Sequence, residues 1–479
     1  MYQVQQLIGG VWDGSGDAGW LTVVDPADGS PVSRVPVATD AEVESAVKAA
    51  RAVAPSWART APAERAEALR RAADTIEANA DRLAEAETAE MGRPLAAARS
   101  GIQAGVSTLR QYAELAPVRG GRSLAGGADA IDLMVPQPRG VVAAITPWND
   151  PVSVSCGLLG AALATGNTVV YKPSERSTAS GWLLARLLDE HLPAGVLSML
   201  TGDGPVGATL AGQEVDVVAH VGSTATGRSI AAACARSGAK ALLENGGSDP
   251  LIVDADVDPR WAAEQAAIGA FTNAGQLCVS VERIYVLRPV ASRFLAGLVE
   301  RAEALRLGPG RDPLSEVGPL VDRRQRDHVH GQVGAAVAAG ASLLTGGSVP
   351  DGPGSFYPPT VLAECTDEMA VMWEETFGPV APVMVVDSFD EALSRASHSP
   401  YGLAATVLTG SMNHAQRAWR ELPVGTVKIN AVFGGAPGGA AEPRGGSGQG
   451  FGYGPELLDE LSATKMVHIE GPGGEGGRW

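Results

Sequence analysis

The sequence predicts an α/β fold: a doubly wound parallel sheet followed by a second α/β unit. Three observations carry this. From Gly140 onward, short β-branched runs alternate with helix-length segments. The runs are apolar along their whole length, the pattern of strands covered by helices on both faces. A second series of the same kind starts near Leu251. At 479 residues the chain is long enough for two or three cores. Its 45% hydrophobic and 19% charged residues are those of an ordinary globular protein. The 60 Gly and 32 Pro are scattered between apolar segments and read as turns.

Taken in order, residues 41–57 and 62–91 predict two long helices. They are rich in Ala, Glu and Arg, with Leu69, Ala72, Ile76 and Leu83 at helical spacing and Asp40 placed to cap the first. Residues 119–137, Gly-rich and then extended, fit neither sheet and suggest a projecting arm. Gly140–Thr146 reads as a buried strand, then a turn and a helix through Ala164. Asn167–Lys172, Val196–Leu200 and Val215–Val221 are further strands. The second series includes Leu251–Asp254, Arg283–Leu287, Val380–Val386 and Leu403–Leu408, and runs to about residue 440. Lys465–Ile469 is a strand able to pair with the arm. No internal repeat stands out.

A formal charge of −17 leaves no basic field for nucleic acid or an anionic membrane. The N-terminus has no basic start with an apolar run behind it, and no stretch reaches about 18 apolar residues. The four cysteines, Cys156, Cys234, Cys278 and Cys365, show neither CxxC pairs nor zinc spacing, so no metal site or disulfide framework is expected. A reducing, cytoplasmic setting follows as the expectation. The only lysines are Lys48, Lys172, Lys240, Lys428 and Lys465.

Four places could carry chemistry. Gly202–Gly207 is a literal GxGxxG after a strand, but the acidic partner expected about 20 residues on is missing, since that position is near His220. A plain turn opening a helix explains it as well. Gly222–Arg228 also follows a strand, and its Ser and Thr can cap a helix whose free N–H groups meet a pyrophosphate. Lys172-Pro173-Ser174-Glu175 ends a strand, where open α/β sheets bind ligands, and its Lys and Glu could reach ribose hydroxyls. Taken alone, each of these could equally be structural. Cys278, in Asn273-Ala274-Gly275-Gln276-Leu277-Cys278, could be a buried small hydrophobe. Its polar and Gly neighbours, together with Glu244 ahead of Gly246-Gly247, suit a thiolate that attacks and a carboxylate that activates water.

These motifs together resemble the aldehyde dehydrogenase superfamily over nearly the whole chain. In the family's order stand Pro147-Trp148-Asn149, Lys172–Glu175, Gly222-Ser223-Thr224 with Gly227, and Glu244 with Gly246-Gly247. Asn273–Gln276 with Cys278, Glu374–Val380, Tyr401–Ala404, and Gly425-Thr426-Val427 with Ile429-Asn430 complete the series. The resemblance implies a Rossmann-type cofactor domain (residues 1–118 and 138–246), an α/β catalytic domain (247–454) and a β-arm for oligomerisation (119–137 and 455–479). A homodimer or homotetramer is implied with it.

The implied chemistry is NAD-dependent oxidation of an aldehyde. Cys278 attacks the carbonyl, and Asn149 with the Cys278 N–H holds the oxyanion. Glu244 activates the water that releases a free acid. The family's CoA-acylating members usually lack that Glu; they, and a catalytically idle binding relative, are the alternatives. The implied cofactor contacts are Ile145, Pro147, Trp148, Lys172, Glu175, Gly204, Gly222, Ser223, Thr226, Gly227, Glu375 and Phe377. A carboxylate at Glu175 favours NAD over NADP. The implied substrate tunnel comprises Asp150, Ser153, Val154, Gly157, Leu277, Val279 and Phe433.

Departures from the family pattern are Asn245 and Ser248 around the paired glycines, Asp150 after Asn149, and an altered segment from Pro437 to Gly452. In that segment Gly452 stands where some members carry a Glu. Asp150 with small Ser153, Val154 and Gly157 suggests a wide tunnel for a bulky or polar aldehyde.

Overall fold

The computed structural model describes residues 1–128, 130–435 and 439–471. Pro437, where the altered segment begins, and residues 472–479 of the expected arm lie outside the described residues.

The first sheet has five parallel strands at its centre, Val141–Ile145, Thr168–Lys172, Leu197–Met199, Val217–Val221 and Lys240–Glu244. The first lies between the second and the fourth, with the third and fifth outside them. The winding order therefore reverses beside Val141–Ile145, where a crevice forms at the carboxyl ends of the strands. Two short N-terminal strands beyond those expected, Gln6–Ile8 and Val11–Asp13, extend one edge antiparallel, through Leu7 opposite Met199. Gly448–Gln449 closes the other edge, opposite Glu244 and Leu243.

The second sheet has Thr360–Ala363, Val380–Val386, Val281–Leu287, Asp249–Val253, Ala404–Leu408 and Thr426–Ile429 in parallel, with Ser342–Thr345 antiparallel at one edge. The central strands of both sheets are buried on both faces, which is why they read as unbroken apolar runs. Among the described residues, no helix is long and apolar enough to cross a membrane.

The N-terminal helices differ from expectation in three ways. Helix Asp40–Arg59 is capped by Thr39, not Asp40. Thr39 Oγ1 accepts the Glu42 N–H at 3.2 Å, and the Glu42 carboxylate accepts the Thr39 N–H at 2.7 Å. That reciprocal pair satisfies two free donors at once, which a carboxylate at position 40 does not. The run 62–91 breaks at Asn79 into Pro62–Ala78 and Ala80–Met91. A further helix, Leu95–Leu115, packs against Pro151–Ala164. Its Gly105 allows the close approach: a Cβ there would stand 3.1 Å from Cys156 Sγ.

The expected pairing of the Lys465–Ile469 segment with the segment before residue 138 is present. Ala130–Pro138 pairs antiparallel with Ser462–Glu470 along its whole length, and Arg122–Leu124 flanks it.

Candidate active site

Strand register gathers the expected residues at the carboxyl edge of the first sheet. Ile145 lies opposite Lys172 and His220, and Val221 opposite Glu244. In front of them is a cleft of about 800 Å³, lined by Ile145, Pro147, Trp148, Lys172, Glu175, Gly204, Gly222, Ser223 and Thr226. Ser223 caps helix Thr224–Ser237 by accepting the Thr226 N–H at 3.3 Å, so a helix N-terminus opens on the cleft. Lys172 is buried, with Nζ donating to the Pro173 carbonyl at 3.0 Å. His220 lies beneath Gly222, where burial lowers its imidazole to about 4 and keeps it neutral.

The residues present would fit a dinucleotide: a helix N-terminus suits a pyrophosphate, and a Lys with a Glu at a strand end suits ribose hydroxyls. Gly227 does not line the cleft. A Cβ there would stand 2.0 Å from Asn245 Oδ1, so this glycine lets the helix pack on Asn245.

Cys278 is carried to the opposite wall by a turn that only close packing sustains. Asn273, Ala274 and Gly275 are consecutively left-handed (φ 52, 55 and 71°). A Cβ on Gly275 would stand 2.0 Å from the Gly378 carbonyl oxygen. Gln276 braces the turn: Nε2 donates to the Asn273 carbonyl at 3.1 Å, and Oε1 accepts the Val321 N–H at 2.9 Å. Asn149 is tied to the same turn, its Nδ2 donating to the Gln276 carbonyl at 3.0 Å while its own carbonyl accepts Asn273 Nδ2 at 3.3 Å. One Nδ2–H bond is thereby fixed, which orients the other.

Two adjoining cavities of about 450 Å³ each share Cys278, Val279, Val154 and Phe433. One holds Asn149, Asp150, Leu277, Glu375 and Phe377 and also borders the cleft residues Trp148 and Ser223. The other holds Ser153, Gly157 and Glu244. Cys278 thus stands where the two cavities meet, one of which borders the cleft. Burial pushes its thiol up to about 12, with Glu244, Asp249 and Glu375 adding to the rise.

Glu244 ends its strand and accepts the Gly452 N–H at 3.0 Å. Burial raises its carboxyl to about 8, against that hydrogen bond. A Cβ at 452 would stand 2.1 Å from Glu244 Cγ, so Gly452 is what lets the carboxylate lean there.

Glu375 accepts the Gly247 N–H at 3.1 Å, and burial raises it to about 7. The paired glycines admit it: a Cβ on Gly246 would stand 2.1 Å from its Oε2. Phe377, left-handed at φ 51°, meets Trp148 edge-to-face at 5.4 Å. Buried Glu282 holds that turn by accepting the Thr376 and Phe377 N–H groups at 2.6 and 2.9 Å.

Asp150 does less for the tunnel than expected. Its Oδ1 accepts from Arg93 Nη1 at 2.7 Å, and Glu87 stands 3.7 Å from the same nitrogen, so its charge is compensated. It also lines the cavity nearer the cleft, away from Ser153 and Gly157.

The departures at Asn245 and Ser248 are both held by hydrogen bonds, and Asn245 also lines the cavity nearer the cleft. Asn245 donates through its backbone N–H to the Ser447 carbonyl at 2.8 Å and through Nδ2 to the Gly446 carbonyl at 3.1 Å. Ser447 Oγ in turn donates to the Gly246 carbonyl at 2.8 Å, which pins the segment after Glu244. Ser248 is buried, and its carbonyl accepts from Arg283 Nε at 2.9 Å. The inner cavity also holds Thr108, Leu403, Thr426, Lys428 and Tyr453, none of them among the expected residues. The signal for Lys428 was the scarcity of lysine in the chain. Among the described residues, no group of three or more His, Cys, Asp or Glu is placed to hold a metal ion.

Comparison with known proteins gives the family. The model of the aldehyde dehydrogenase family matches residues 12–467. A betaine aldehyde dehydrogenase of Cereibacter sphaeroides is 38% identical over 414 residues, covering 86% of each chain. A 2-hydroxymuconic semialdehyde dehydrogenase of Pseudomonas sp. strain CF600 is 37% identical, covering 90% of this chain and 92% of its own. Among solved structures, an NAD-dependent aldehyde dehydrogenase from Sinorhizobium meliloti superposes with a TM-score of 0.96 at 32% identity, over 100% of this chain and 96% of its own.

Proposed function

Since the chain belongs to the aldehyde dehydrogenase family and is an NAD-dependent oxidoreductase acting on aldehydes, we propose that it carries its substrate through to the free acid, with Cys278 as nucleophile and Glu244 as base. The observation that carries this reading is that Cys278 and Glu244 line one cavity, which shares Cys278 with the cavity bordering the cleft. An aldehyde, NAD⁺ and water give a carboxylate, NADH and two protons.

Cys278 gives up its proton to solvent as Sγ bonds to the aldehyde carbon, so Glu244 stays ionised for the later step. The free N–H of Asn149 Nδ2 and the Cys278 backbone N–H hold the resulting oxyanion. NAD, when bound, supplies the acceptor for the hydride that leaves this carbon. Glu375 and the Phe377 turn position that end of the cofactor, while Lys172 and Glu175 take the adenosine ribose, with Glu175 disfavouring a 2′-phosphate. Glu244 then takes a proton from water as its oxygen attacks the thioester carbon, and Sγ leaves as the acid is released. We read the substrate as a bulky or polar aldehyde, a reading supported by the small residues Ser153 and Gly157 in the cavity wall.

NADH absorbance with a panel of aldehydes, with and without CoA, tests this. Turnover without CoA is expected; turnover only with CoA would place the chain in the acylating alternative.

We also read the chain as a dimer or tetramer of 1–118 with 138–246 as cofactor domain, 247–454 as catalytic domain, and 119–137 with 455–479 as arm. The arm leaves Ser462–Glu470 as an outer strand with Met466 and Ile469 exposed, an edge that calls for a partner. The four unpaired thiols support the expected reducing, cytoplasmic setting.

A further inference from the structure

Lys428 is a charged group in the inner cavity that the chemistry above does not use. The cavity is largely apolar-walled, and among the described residues its charged side chains are Glu244, assigned as base, and Lys428. Lys428 comes from the edge strand Thr426–Ile429, at the end of the second sheet that faces the site. Its Nζ donates to the Val432 carbonyl at 2.9 Å and lies 5.6 Å from the Phe433 ring centroid. An ammonium has three donors, and among the described residues Val432 takes one of them. The buried carboxylate nearest to its influence, Asp249, accepts the Ala404 N–H at 3.1 Å and makes no ion pair with it. Among the described residues this ammonium, held by one carbonyl and a ring face, makes no salt bridge, and Asp249 acts on it only at longer range against its burial.

Resting on the assignment of Cys278 and Glu244, we propose that Lys428 binds an anionic group on the substrate, and that the preferred aldehydes are oxo acids carrying a carboxylate at the end away from the reacting carbonyl. With the aldehyde at Cys278, the distant carboxylate takes the remaining Lys428 donors as charge-assisted hydrogen bonds. Cationic aldehydes meet like charge in the same place and are rejected.

The test compares succinic and glutaric semialdehyde with butanal and pentanal, and with betaine aldehyde, in the wild type, Lys428→Met and Lys428→Arg. Wild type is expected to favour the oxo acids by about 10- to 100-fold in kcat/KM, the worth of one charge-assisted bond. Lys428→Met should erase that ratio and Lys428→Arg should keep most of it. Equal kcat/KM for charged and neutral partners in the wild type would overturn the proposal. So would a uniform loss on all aldehydes in Lys428→Met, which places the ammonium in service of Cys278. Calorimetric binding of glutarate, expected in the wild type and lost in Lys428→Met, reads the site without turnover. Glutarate binding with no aldehyde oxidised would leave Lys428 standing and remove the assignment of Cys278 and Glu244; absence of glutarate binding overturns the proposal itself.

Discussion

At the scale of single residues, burial sets the chemistry. Glu244 acts as base only when ionised, and burial raises its carboxyl to about 8. Because the deprotonated form is the active one, kcat should climb as pH rises through about 8 and level off above it, which a pH profile at saturating substrate checks. A profile that falls over this range contradicts the assignment. Asn149→Ala removes an oxyanion donor and should lower kcat by about 10²- to 10³-fold, while NAD affinity, measured by fluorescence titration, stays close to wild type. Cys278, Glu244 and Asn149 were legible because each sits in a short local motif. Lys428 and the approach of Gly452 to Glu244 were not, because both depend on segments brought together from far along the chain.

At the scale of elements, the strands were easier to read than the helices. Continuous apolar runs mark buried strands wherever they fall. A helix boundary turns on one or two side-chain contacts: Thr39 displaces Asp40 as cap by its reciprocal bond with Glu42, and Asn79 interrupts a run whose composition is helical throughout. Two joints should prove sensitive. Gly275→Ala meets both a left-handed backbone and the Gly378 carbonyl. The backbone alone costs about 1–2 kcal/mol, and thermal unfolding should shift down together with a loss of activity. Arg93 joins Asp150, at the start of helix Pro151–Ala164, to Glu87. Arg93→Ala leaves buried Glu87 and half-buried Asp150 without their cation and should cost about 1.5–3 kcal/mol, read by urea denaturation.

At the scale of the molecule, the two sheets meet with the carboxyl ends of one facing the loops that carry Cys278 and Glu375. The alternation of strands and helices foretold two α/β units, but not the antiparallel additions at the edges of the first sheet, which are two or three residues long. The exposed arm edge predicts that light scattering gives a multiple of 49.0 kDa, and that Met466→Lys with Ile469→Lys lowers it. The central claim is covalent catalysis at Cys278 with release by Glu244. Intact and peptide mass spectrometry of Glu244→Gln, after mixing with NAD and an aldehyde that the wild type oxidises, tests it most directly. The account predicts one equivalent of NADH and a persistent acyl adduct on the peptide bearing Cys278. Steady NADH production at the wild-type rate without an adduct, or an adduct on Cys156, Cys234 or Cys365, would contradict it.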